Sequence, residues 1–112
     1  MWIAGVGTAV VVHAGGNLTV GNRKDLQALV LDALARGERD VAVDLEGAEY
    51  IDTAALGTLV MLANRVREAG GALHLEQVST GVRAVLALTQ LDGTLLDGIP
   101  LPGAAGATAR AG

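Results

Sequence analysis

Segments with the 3.6-residue period of an amphipathic helix alternate along this chain with short apolar runs, and that alternation constrains the fold more than any other feature. Ala9 to Ala14 is a valine-rich run that suits a strand, and Trp2 to Val6 is a candidate partner beside it. Gly15-Gly16-Asn17 then punctuates the chain. Asn22 is a candidate N-cap, and Leu26, Leu29, Val30, Ala33 and Leu34 behind it fall on one helical face that closes at Gly37. Val41 to Leu45 reads as a short buried strand, and Glu46 to Ile51 as a loop. Ala54 to Ala69 reads as a second helix closed by Gly70-Gly71, and Leu73 to Leu75 as a strand. Thr80 to Leu91 reads as a third helix, with Val82, Val85, Leu86 and Leu88-Thr89 on its buried side. Thr94 to Leu96 is expected to be a last short strand or a docked turn.

Strands separated by a helix should be parallel, and the first pair is expected to form an antiparallel hairpin. The fold class expected is therefore α/β: a small mixed β-sheet with helices packed mainly on one face. A chain of 112 residues has room for one core, so residues 1–97 are read as a single domain. From Gly98 the composition shifts to Gly, Ala and Pro, and residues 98–112 are expected to form a disordered tail.

Composition narrows the function. Aromatic residues make up only 2% of the chain, which leaves almost nothing on which nucleic-acid bases could stack. The net charge of -4 argues against binding nucleic acid or anionic lipid through charge. The absence of cysteine excludes disulfides and thiolate chemistry. No apolar run approaches the roughly 18 residues of a membrane span, and the N-terminus lacks the basic start of a signal peptide. A cytoplasmic protein with no direct membrane insertion is expected.

The segment that carries chemistry is Tyr50-Ile51-Asp52-Thr53-Ala54-Ala55-Leu56-Gly57. It places an acid and a hydroxyl where a helix begins, beside unpaired N–H groups and a partial positive charge. A phosphate on Thr53 would lie where those groups can receive it. Asp and Thr are also ordinary N-caps, so the pair alone fits a structural role as well. The sequence shows no nucleophile–base–acid set, which points to a substrate or regulator of an enzyme and not to an enzyme. His13 in an apolar strand reads as a packed or edge residue, and His74 as facing away from Leu73 and Leu75. Neither has metal-ligand spacing, and no metal or cofactor is expected. Arg23-Lys24 reads as a solvated face, and Trp2 as a core anchor in preference to an exposed interface residue.

The frame around the pair resembles the STAS family, the sulphate-transporter and anti-sigma-factor-antagonist domains. Val43-Asp44-Leu45 is followed six positions on by Ile51-Asp52-Thr53, then by Leu56-Gly57 and Leu59-Val60. Gly16-Asn17-Leu18, Gly70-Gly71 and Leu88-Thr89-Gln90-Leu91 are further landmarks, and the resemblance covers residues 5 to 96. It departs from the antagonist pattern at Thr19, often acidic there, and at Ala55, often Gly there. The resemblance implies a STAS-like fold and a switch. Unmodified antagonist binds an anti-sigma factor that is also a serine/threonine kinase and so frees a sigma factor; phosphorylation by that kinase reverses this, and a phosphatase resets it. By position Thr53 takes the phosphorylated role and Asp52 the acidic neighbour. The partner is expected at the start of the second helix, on the face shared by Thr53, Gly57, Met61 and Asn64. Asp-Thr-Ala also resembles STAS subunits of phospholipid-transporting ABC systems, and a third branch builds stressosome scaffolds.

Overall fold

The computed structural model describes residues 1–6, 9–91 and 95. The elements run β1 (Trp2–Val6), β2 (Ala9–His13), α1 (Arg23–Ala35), β3 (Asp40–Asp44), α2 (Thr53–Glu68), β4 (Ala72–Glu76) and α3 (Thr80–Leu88). The strands form one sheet in the order β1-β2-β3-β4. β1 and β2 pair antiparallel, whereas β2, β3 and β4 are parallel, each joined to the next through a helix. This is the small mixed sheet that the alternating pattern implied.

Strand alternation decides which side carries the core. Val10, Val41 and Leu73 lie side by side in the register, as do Val12, Val43 and Leu75. All six are buried, in one cluster with Leu26 and Val30 of α1, Leu59 and Leu62 of α2, and Val82 and Leu86 of α3. All three helices thus feed one core on one face of the sheet. The alternate positions make the other face, where most side chains stay partly or fully exposed.

Each helix ends in the same way. Gly37, Gly70 and Gln90 take positive φ just past the C-caps, and the next residue donates its N–H five residues back, from Glu38 to Ala33, Gly71 to Val66 and Leu91 to Leu86. Gly71 is further constrained, because a Cβ there would lie 1.9 Å from the Arg39 carbonyl oxygen. The chain leaves α2 in contact with the segment that enters β3.

Three expectations need correction. Trp2 is not a core anchor: its position in β1 faces the uncovered side of the sheet, and it is 56% exposed, stacked on the His13 ring. Leu88 does not join the buried side of α3 and is 86% exposed. Two residues on from Leu86 it is turned about 200° around the helix, so it faces solvent. Arg23 is not simply solvated, since its guanidinium reaches from α1 to Thr58 of α2. Of the expected strand or turn at Thr94 to Leu96 only Leu95 lies among the described residues; it is buried, and its N–H bonds the Leu91 carbonyl. The expected tail, 98–112, lies outside the described residues.

Candidate functional site

The loops that leave β2 and β3 emerge at the same end of two neighbouring parallel strands, the end where ligand and partner sites of α/β sheets gather. Here the loops are joined to each other. Leu18 and Ile51, both buried, form an isolated parallel bridge. The Leu18 N–H donates to the Tyr50 carbonyl at 3.3 Å, and the Asp52 N–H to the Leu18 carbonyl at 3.1 Å. Asn17 adds a side-chain link: its Oδ1 accepts from the N–H groups of Glu49 at 2.8 Å and Tyr50 at 3.0 Å. Asn22 stands at the N-cap position of α1 but caps nothing with its side chain. Its amide turns back instead, accepting from the Thr19 N–H and donating to the Asn17 carbonyl, both at 2.9 Å.

Asp52 completes the junction. As N-cap of α2 it accepts the Ala55 N–H on Oδ1 at 2.8 Å, while Oδ2 accepts the Val20 N–H from the other loop at 2.7 Å. The Ala55 bond contributes most, then the Val20 bond, to holding this carboxyl below the usual carboxylate range; the Ala54 N–H and the Arg23 charge add to it, against a smaller opposing effect of desolvation. Asp52 is thus a fixed negative charge at neutral pH. Arg23 donates from a terminal nitrogen to Thr58 Oγ1 at 3.4 Å, and Thr58 donates to the Ala54 carbonyl at 3.1 Å. The Arg23 Nε is buried and has no hydrogen-bond partner among the described residues.

Thr53 is the first residue of α2 and is exposed. Gly57 is exposed one turn on, and Met61 and Asn64 follow, both partly buried. These four positions lie away from the buried stripe of Ala55, Leu59, Leu62 and Val66. A Cβ on Gly57 would meet nothing within 4 Å, so the protein's own sheet does not require glycine there. Met61 also touches the core edge, and Asn64 accepts from Arg67 at 2.8 Å. The two histidines are not brought together: each sits on a separate carboxylate, His13 on Asp44 and His74 on Glu76, both at 3.0 Å. Among the described residues no cluster of His, Asp or Glu is suited to hold a metal ion.

Sequence reasoning missed Val20 and Tyr50. They are 63% and 53% exposed, and they belong to the two loops joined at Asp52. Strand and helix periods say nothing about loop residues, so neither side chain stood out in the sequence. Asn17 was visible as turn punctuation and as a landmark of the resemblance, but its bonds were not, because its partners lie 32 and 33 residues away.

A helix start fixed by the opposite loop, with an exposed hydroxyl and apolar side chains around it, defines a small α/β domain built to present a surface. The chain belongs to the STAS domain family: the family model described as "Mlab, STAS domain" matches residues 3–97. No curated protein matches it in sequence. The fold is similar to the crystal structure of a candidate anti-sigma factor antagonist from Thermotoga maritima, with a TM-score of 0.78 and 26% identity over 84% of this chain and 81% of that one. It is similar to the anti-sigma factor antagonist SpoIIAA in its unphosphorylated form, with a TM-score of 0.66 and 18% identity over 78% of this chain and 81% of that one. The Bacillus SpoIIAA in its phosphorylated form gives the same TM-score and identity over 80% and 83%. A sulfate transporter family protein from Wolinella succinogenes matches at a TM-score of 0.72 and 17% identity over 84% and 76%.

Proposed function

We propose that this protein is an anti-sigma-factor antagonist, a protein-interaction switch set by phosphorylation of Thr53. Unmodified, it binds an ATP-using anti-sigma factor kinase in the cytoplasm and so frees a sigma factor; the kinase phosphorylates Thr53, and a phosphatase removes the group. The protein itself performs no catalysis. The observation that carries this reading is the exposed Thr53 hydroxyl on the first turn of α2, next to an Asp52 charge fixed by two loops and flanked by exposed Val20 and Tyr50. The partner covers Thr53, Gly57, Met61 and Asn64 together with those two side chains.

Charge drives the switch. A phosphate adds about -1.5 to -2 charge at neutral pH beside the fixed Asp52 carboxylate. The free N–H groups of the helix start tolerate it, so the fold stays as it is. A partner packed on Thr53 would have to desolvate that charge without a matched cation, and it dissociates.

The direct test is to incubate the protein with the candidate kinase and ATP, map the phosphosite, and titrate both forms against the kinase. Thr53→Ala should take up no phosphate, and the phosphorylated form should bind more weakly. Equal affinities would rule out the switch. A second reading, an accessory subunit docking on the ATPase of a phospholipid-transporting ABC system, is favoured by Asp52-Thr53-Ala54 and by a family model described as Mlab and not as an antagonist. Binding to such an ATPase that is indifferent to Thr53 phosphorylation would select it. Among the described residues no helix is long and apolar enough to cross a membrane.

A further inference from the structure

Parallel sheets are usually covered on both faces, and the parallel ladder β2-β3-β4 is covered on one among the described residues. The register lays out the other face in rows. One row crosses all four strands as Trp2, His13, Asp44 and Glu76; the next is Ala4, Val11, Ala42 and His74; Ala9, Asp40 and Ala72 lie in the third. The middle of this face is built from small apolar side chains, and Trp2 stands exposed at its corner, stacked on His13 with ring centroids 3.9 Å apart.

The carboxylates on the face are Asp40, Asp44 and Glu76. His13 and His74 sit against the last two. None of the strands contains Lys or Arg. Among the described residues all Lys and Arg side chains belong to the helices and the turn after α1. Even Arg39, next to β3, bonds away to the Leu34 and Glu38 carbonyls near the end of α1. A flat apolar centre edged by three carboxylates and by no Lys or Arg complements a helix with an apolar stripe flanked by Lys and Arg. A second copy of this chain would bring carboxylates against carboxylates.

We propose that the uncovered face of the sheet is a second docking surface, independent of the α2 surface, for a cationic amphipathic helix of a partner protein. The helix lies across Ala4, Val11 and Ala42, shields Trp2, and sets its basic residues against Asp40, Asp44 and Glu76.

Trp2 is the only tryptophan, so its emission reports on this face alone. The full chain is titrated with a synthetic Lys/Leu amphipathic helix of about 18 residues, roughly the length of a five-turn helix. Saturable binding should shift Trp2 emission to the blue, move backbone amide resonances of β1 to β4 and leave α2 unmoved. A Glu/Leu peptide of the same pattern should not bind. Asp40→Asn with Glu76→Gln, both at exposed positions, should weaken binding about tenfold, as two surface ion pairs would. The proposal is overturned by no binding, by equal binding of the acidic peptide, by shifts confined to α1 and α2, or by an unchanged affinity in the double variant. Sedimentation of the free chain as a dimer with Trp2 shielded would overturn it in favour of self-association. Nuclear Overhauser contacts from Trp2 to residues 96–112 would overturn it in favour of the chain's own C-terminal segment.

Discussion

The starts of α2 and α3 look alike locally and differ in what they hold together. Both caps are extended residues after a strand and loop: Asp52 accepts the Ala55 N–H, and Ser79 accepts the Val82 N–H at 3.2 Å. Ser79 stops there. Asp52 has a second oxygen, and it takes the Val20 N–H from a loop 32 residues away. The same capping rule therefore yields a side-chain bond confined to α3 and a junction of two loops at α2. What marks the candidate site is the tie across the fold and not the cap.

Substitutions at the two helix starts should separate these roles. Asp52→Ala should have the largest effect: it strips partners from Ala55 and Val20 together, so the melting temperature should fall further than for Ser79→Ala. Amide exchange should accelerate at Val20 as well as at the start of α2. If the two variants melt alike and Val20 exchange is unchanged, the comparison fails. Asn17→Ala should come next, at about 1–2 kcal/mol in urea unfolding, because it removes the acceptor of two loop N–H groups. It should loosen both loops while leaving exchange at α3 untouched. Ser79→Ala should cost about 1 kcal/mol, the ordinary value of a cap, with changes confined to the first turn of α3.

Acid sharpens the contrast further. The folded-state pKa of Asp52 lies below its unfolded value. Its contribution is therefore complete above the unfolded pKa and is lost as pH falls through the lowered folded one. The stability gap between wild type and Asp52→Ala should close along that acid limb, whereas the Ser79→Ala gap should stay constant. The smallest effect belongs to Thr53→Ala, within about 0.5 kcal/mol, since Thr53 is exposed and Asp52 supplies the cap. A larger loss would make Thr53 a structural residue.

The same contrast explains what could be read from the chain. The elements follow local rules, so valine runs, helical spacing and the Gly37 and Gly70-Gly71 stops placed them within a few residues. The end of α3 was set too late because Gln90 takes the positive φ that glycine usually supplies, and no residue type announced it. Asp52-Thr53 was legible as a helix start for the same local reason. The Val20, Asn17 and Arg23 contacts were not legible, since each joins residues more than 30 positions apart. Trp2 was misplaced for a related reason. Alternation divides a strand into two faces but does not tell which one the helices will cover.

The Asn17 bonds have a consequence for when the site exists. They join residues 32 and 33 positions apart, so the whole β2-α1-β3 unit must close before they form. Contacts of such long sequence separation are slow to assemble and are absent from a partly folded chain. A nascent or damaged molecule would display Thr53 on a bare peptide, without Val20 fastened alongside. Under the proposed switch, a kinase that reads the two loops as one surface would act only on finished molecules.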